Sequence, residues 1–335
     1  MALTESAREA EAMTEESAIS QEMRDAVGVE SETNTFVVTE DAIAKFAESI
    51  EDPSPIFNDE QAARSSRYGG IVAPPTFLRS CYPGKPRVLV KIPYQTSVDG
   101  GSEWKYFEPV RAGDTIAVTQ RISALQERKG RLGDMLFVTR ELRYVNQDGD
   151  LVALERNTGI HYQPPEALPG PDRYLGAGDR RERPVGTLPE QVYFEDVGEG
   201  LALPTLEKNP TTRQLVKYAA ASIEYPEIHY DQRHARAAGL PDVIIQGSLK
   251  HAFLGHLVTG WMGERGTLKK LNVQYRGMDV PGRPVYCKGV VTRKYSESGE
   301  NIVECDVWME NEEGVKTTLG SAVVALPSRN GQKPG

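Results

Sequence analysis

The 335-residue chain is poor in cysteine, in aromatic residues and in net positive charge, and it has no long apolar run. Three cysteines, Cys81, Cys287 and Cys305, lie far apart and are odd in number. That excludes a disulfide framework or a CxxC metal site and leaves reduced structural thiols as the expectation. Lys plus Arg number 39 against 48 for Asp plus Glu, for a formal charge of -9 and a pI near 5.3. Affinity for phosphate backbones comes from clustered bases. The densest basic stretch, Asp179 to Arg183, is short and interleaved with acids, so nucleic acid is excluded as a partner. No apolar stretch reaches the roughly 18 residues that a bilayer span needs, and no membrane segment is expected. The opening MALTESAREAEAMTEESAISQEM is acidic, without the basic start of a secretory signal or the Arg-rich face of a transit peptide, so a cytoplasmic location is expected.

What is present is one unit written twice. Ser49 to Leu78 lies on Ala221 to Lys250 without a gap, at a constant offset of 172 residues, the distance from Phe57 to His229. Ile56 meets Ile228, Asp59 meets Asp231, Ala63 meets Ala235 and Arg64 meets Arg236. Each copy follows a short helical segment, Ala42 to Ser49 or Arg213 to Ser222, with N-cap candidates at Thr39 and at Thr211-Thr212. Each copy then leads into runs that alternate with period two: Asp114 to Ser123, Asp134 to Val145 and Leu151 to His161, then Leu271 to Arg276, Pro284 to Lys294, Ile302 to Glu310 and Lys316 to Leu326. A helix followed by an antiparallel meander, twice, is an α+β pattern. Residues 1–18 are expected to be disordered, 19–163 to form one unit, 164–189 a linker rich in Pro, Gly and charge, 190–327 a second unit and 328–335 a tail.

The second copy runs into an apolar helix, Ser248 to Met262, with Leu249, Phe253, Leu254, Leu257, Val258 and Trp261 at helical spacing and a sheet expected to wrap around it. In the first copy only TFLRSC precedes Tyr82-Pro83-Gly84, and the proline ends the helix early. If the halves share a groove, this truncation is expected to leave an open apolar channel suited to an acyl chain.

The segment YAAASIEYPEIHYDQRHARAAGLPDVIIQGSLK resembles the signature of the MaoC-like, (R)-specific enoyl-CoA hydratases, A-S-G-D-x-N-P-[IVL]-H-x-D followed by a Gly-containing turn into a helix. The first copy, with AISQEMRDAVGVESE and RYGGIVAPPTFL, is similar to the FAS1-like dehydratase domain that precedes it in such proteins. The resemblance covers nearly the whole chain after about residue 18. It implies two tandem hot-dog domains, each an antiparallel sheet around a central helix, paired as a pseudo-dimeric double hot dog. It also implies hydration of 2-enoyl thioesters or dehydration of (R)-3-hydroxyacyl thioesters, carried on CoA or an acyl-carrier protein, with no other cofactor and no metal. His229 and Glu224 become the acid/base pair, and the Gly247 amide the oxyanion donor. Gln246, Ser248 and Tyr225 become substrate-contacting candidates. The sequence departs from the signature at Ile223 for Gly, Glu224 for Asp, Pro226 for Asn and Glu227 for Pro.

The first copy keeps Asp52 at the carboxylate position but has Phe57 for the histidine and Pro74-Pro75 where the amide donor belongs, so it is expected to be chemically silent. Asp231 and Asp59 are expected to be N-caps, Trp104 and Trp261 core, and His161, His234, His251 and His256 structural, with His251 and His256 five apart and so wrong for a shared metal. Lys250, Lys269, Lys270 and Arg276 are candidates to meet a CoA phosphate. Two alternatives stay open: a non-catalytic acyl-thioester-binding partner of another hot-dog subunit, as a heteromer or homodimer, and a cyclase that adds an internal hydroxyl in place of water.

Overall fold

The computed structural model describes residues 17–94, 96–130, 133–163 and 185–329. Most of the segment expected to be disordered, most of the linker and the end of the tail lie outside the described residues. The elements are α1 (Gln21–Asp25), β1 (Asn34–Val37), α2 (Glu40–Ser49), α3 (Glu60–Ser65), β2 (Thr96–Tyr106), β3 (Thr115–Gly130), β4 (Gly133–Val145) and β5 (Leu151–Tyr162) in the first half. The second half contributes β6 (Leu206–Lys208), α4 (Thr212–Ser222), α5 (Gln232–Ala237), α6 (Gly247–Met262), β7 (Thr267–Tyr275), β8 (Val285–Glu297), β9 (Glu300–Asn311) and β10 (Lys316–Ala325).

All ten strands form one sheet in the order β1-β3-β4-β5-β2-β7-β10-β9-β8-β6. The order read outward from the centre is the same in both halves, which is the topology of a double hot dog. The halves join where β2 pairs antiparallel with β7 from Gly101↔Gln274 to Lys105↔Lys270. The strand β2 is not among the alternating runs read from the sequence, which places Trp104 in the core and goes no further. Glycine is needed in this strand: Gly101 has φ +139° and a β-carbon on it would sit 2.2 Å from the Val273 carbonyl oxygen. The short edge strands β1 and β6 also carry too few residues to show a period.

One hydrophobic core spans both halves, with Phe46, Phe57 and Trp104 from the first and Leu249, Phe253 and Trp261 from the second. The helix α6 is buried on nearly every side, as its apolar composition predicts. In the first half the matching segment is a single 3-10 turn, Pro75–Ser80, confirming the early stop. Among the described residues no helix is long and apolar enough to cross a membrane, and the three cysteines are free and buried.

The repeat is also visible in its caps. Thr39 and Thr211 each accept a hydrogen bond from the amide three residues on, Ala42 and Gln214, at 3.1 Å. Asp59 caps α3 and Asp231 caps α5. Both α2 and α4 are followed by a residue in the left-handed region at the same repeat position, Glu51 with φ 52° and Ile223 with φ 56°. The next amide then folds back, Asp52 N–H to Ala47 and Glu224 N–H to Ala219, each at 3.0 Å. This turn aims the carboxylate residue inward. Ile223 therefore stands where glycine is the unstrained choice, and a β-branched residue there is held against a penalty of about 1–2 kcal/mol. Ile223→Gly, with the side chain half exposed, is expected to raise stability by about 0.5–1 kcal/mol in chemical denaturation, once glycine's greater unfolded-state entropy is deducted. A loss of stability would show instead that the isoleucine side chain packs usefully.

Candidate active site

The left-handed turn at Ile223 delivers Glu224, and the short 3-10 turn Glu227–His229 delivers the imidazole. His229 is 6% exposed. Its Nδ1 lies 2.8 Å from the Ile244 carbonyl oxygen. A carbonyl can only accept, so Nδ1 carries the proton and Nε2 presents its lone pair. Burial pushes the imidazole pKa below its ordinary value, and the Ile244 carbonyl and the Glu224 charge pull against that shift. His229 is thus neutral near pH 7 and lies within electrostatic reach of the carboxylate.

Glu224 is fixed from the other side. The Ser248 hydroxyl donates a short hydrogen bond to Glu224 Oε2. That bond places the carboxylate at the N-terminus of α6, where the first amides have no intrahelical acceptor and the helix dipole is positive. Gly247 opens the helix. A β-carbon there would meet the Tyr275 ring at 2.9 Å, so glycine is required by packing. Glu224 is thus joined to Ser248 beside Gly247 at the helix end, and His229 lies near enough to feel its charge. The longer reach of glutamate is used to contact Ser248.

Two candidates fall elsewhere. Gln246 is fully buried and its amide donates to the Leu215 carbonyl at 2.9 Å, which makes it a strut between α6 and α4 rather than a surface for substrate. Tyr225 is exposed, and its carbonyl accepts from the Tyr230 hydroxyl. Lys250, a candidate for a CoA phosphate, is buried in an ion pair with Asp279 at 2.7 Å. Lys269 pairs with Glu300 at 2.6 Å.

The sequence reading missed the contribution of the first half. Arg79, on the 3-10 turn at Pro75–Ser80, ion-pairs with the buried Glu155 at 2.5 Å and reaches Asp99 at 4.0 Å. Burial opposes its charge, but Glu155, Glu224 and Asp99 together hold it protonated. Tyr82 also faces Glu224: burial first, and then that charge, push its hydroxyl pKa up to about 12. The truncated segment borders two spaces, a cleft of about 680 Å³ beside Pro74, Pro75 and Leu78 that also meets Ile56, Phe57 and Val110, and a second that meets Arg79 and Tyr82. The one signal was an arginine inside TFLRSC, on a face that is otherwise apolar. Its repeat partner is His251, fully buried and stacked on Trp104, with its pKa driven down to about 3 by burial and by Arg79.

At the mirror position the machinery is incomplete, as expected. Phe57 is buried in place of a base. Asp52 accepts from the Ser54 amide at 3.1 Å and lies 3.8 Å from His256 Nε2. Lys208 donates to the Ile50 and Glu51 carbonyls at 2.7 and 2.9 Å and lies 2.9 Å from His256 Nδ1. Burial raises the Asp52 carboxyl pKa to about 6 against the pull of the Ser54 amide and Lys208.

Comparison with known proteins gives the same division. The profile of the FAS1-like dehydratase domain region matches residues 25–155, and that of the MaoC like domain matches residues 199–312. The UPF0336 protein of Streptomyces avermitilis is 33% identical over 103 residues, 29% of this chain and 69% of that protein. The mesaconyl-C(4)-CoA hydratase of Chloroflexus aurantiacus is 23% identical over 177 residues, covering 52% of this chain and 55% of that one. A solved MaoC-like dehydratase superposes with a TM-score of 0.73 at 22% identity, over 90% of this chain and 98% of that one.

The folded pKa of Asp52 lies above its unfolded value near 3.8. Ionised Asp52 thus weakens the fold, and stability is given up as pH rises from about 4 to about 6, then levels off. Asp52→Asn should be more stable than the parent at pH 8 by up to about 3 kcal/mol, with the gain shrinking toward pH 4. Thermal melts at both pH values check this, and a gain independent of pH would refute the assignment of the charge as its cause.

Proposed function

The chain belongs to the MaoC-like dehydratase family, as a double hot-dog protein that joins a FAS1-like dehydratase region to a MaoC-like domain, and from that membership we propose that it hydrates 2-enoyl thioesters or dehydrates (R)-3-hydroxyacyl thioesters on CoA or an acyl carrier. The observation that supports the reading is the Ser248 hydrogen bond, which holds the Glu224 carboxylate at the open end of α6 within electrostatic reach of His229. The name of the Chloroflexus relative, a hydratase of a CoA thioester, supports the same class.

In the hydration direction the oxygen of water bonds to Cβ, one of its protons passes to the Glu224/His229 pair, and the pair delivers a proton to Cα. The pair ends as it began. The thioester carbonyl gains negative charge as Cβ is attacked, and the Gly247 amide with the α6 dipole stabilises it. The free lone pair on His229 Nε2 suits it to accept the proton. Arg79 and Tyr82 close the site from the other half. The departure at Ile223 does not work against this, because it keeps the left-handed turn that Glu51 makes in the first copy.

Glu224→Gln and His229→Ala are each expected to lower kcat/KM for crotonyl-CoA hydration by about 10²–10⁴ with the fold intact by circular dichroism. Full activity in either variant would end the role given to that residue. If the wild type turns over no enoyl thioester, the non-catalytic reading stands in its place. The acid limb has a definite sign. Protonation removes the His229 lone pair, so the rate falls as pH drops through a pKa held below 6.5 by burial. A kcat/KM profile should stay level through pH 6.5 and decline only below it, whereas a limb above 6.5 would contradict a neutral buried base.

A further inference from the structure

The inner face of the first-half sheet is apolar at both ends and polar in the middle. Toward the centre, Val118, Tyr144 and Trp104 join the main core. At the far end, Leu136 and Val138 form a separate cluster with Met23, against which Ile122 and Leu125 pack. Between them the register places Gln120 beside Leu142 and Arg140 beside Asn157, all on that same face. In the second half α6 covers a wholly apolar surface, with Val291, Val303, Cys305, Val307 and Met309 in the core. The first half has no helix there, and its sheet is polar where the helix is missing.

These residues, with Arg79 and the Tyr82 to Pro86 segment, line a cleft of about 420 Å³. The chain as a whole has nine more acids than bases, yet the lining contains three bases, Arg79, Lys85 and Arg140, and no acid. Arg79 is balanced by Glu155 and Asp99. Arg140 is not: among the described residues it has no hydrogen-bond or ion-pair partner, and burial alone lowers its pKa. A half-buried guanidinium without an anion is a costly arrangement unless something supplies one. The cleft lies on the side of the proposed site: Arg79, which lines it, sits on the Pro75–Ser80 segment that packs against both α4 and α6, the two helices that carry Glu224 and Ser248 at their ends.

We propose that this cleft receives the distal end of the acyl group and selects one that ends in a carboxylate, paired with Arg140. The inference rests on the reading of Glu224 and His229 as the thioester site. A carboxylate would complete the charge that Arg140 lacks, and planar guanidinium groups match it with two parallel hydrogen bonds. An alkyl end would leave the same cation desolvated and unpaired.

The test uses saturated thioesters, which bind without reacting. Calorimetric titration of the full chain should show glutaryl-CoA binding at least about tenfold more tightly than pentanoyl-CoA, a chain of equal length with a neutral end. Arg140→Gln should abolish most of that ratio by weakening glutaryl-CoA alone, and Arg140→Lys should retain part of it. Equal affinities in the wild type would overturn the proposal. So would a variant that weakens both ligands alike, because that is the mark of a contact to the CoA phosphates. Hydration of crotonyl-CoA and of glutaconyl-CoA, a 2-enoyl thioester that ends in a carboxylate, keeps the two readings apart: hydration without a charge preference refutes only the cleft, and a preference with neither thioester hydrated refutes only catalysis.

Discussion

The burial of α6 is the constraint from which the rest of the arrangement follows. A helix apolar on nearly all sides can exist only with a sheet wrapped round it, and the ten-stranded sheet does so with one core shared by both halves. Burying such a helix leaves its N-terminal amides needing partners that cannot be water in bulk. Ser248 turns its hydroxyl to the Glu224 carboxylate at that end, and Gly247 admits the Tyr275 ring beside it. The arrangement of Glu224, Ser248 and Gly247 is therefore a consequence of how the helix end is satisfied, and the proposed chemistry would place a developing negative charge at that same end.

The duplicated unit makes the asymmetry informative. Both copies keep the capped helix, the left-handed turn, the back-folded amide and an inward carboxylate. Only one keeps the long helix. Where it is lost, prolines remove the amide donor, Phe57 fills the place of the base, and Asp52 survives as a buried acid beside Lys208 and His256. The freed volume was reused by polar groups. Arg79 pairs with Glu155 and Asp99 of its own half, and the Glu224 charge of the other half adds to the field that keeps it protonated.

Much of this was legible in the sequence because it was local. The offset between the copies, the caps at Thr39, Thr211, Asp59 and Asp231, and the extent of α6 all follow from residue types at fixed short spacing. The pairing of His229 with Glu224 depended on resemblance, and the structure shows His229 on the Ile244 carbonyl and Glu224 on the Ser248 hydroxyl. What was not legible is non-local. The full extent of β2 depends on β7, since Gly101 packs directly against the Val273 carbonyl. Gln246 and Lys250 look like polar residues at a helix start, free to meet substrate; Leu215 and Asp279, distant in sequence, claim them. Arg79 could not be placed without Glu155.

The central claim is that a thioester carbonyl rests on the free end of α6 with Glu224 and His229 beside its Cα and Cβ. The most direct measurement is a crystal structure of the protein with a saturated acyl-CoA bound. The account predicts the carbonyl oxygen about 2.7–3.1 Å from the Gly247 nitrogen. A thioester seated in the first half, or one whose carbonyl faces away from that amide, would contradict it.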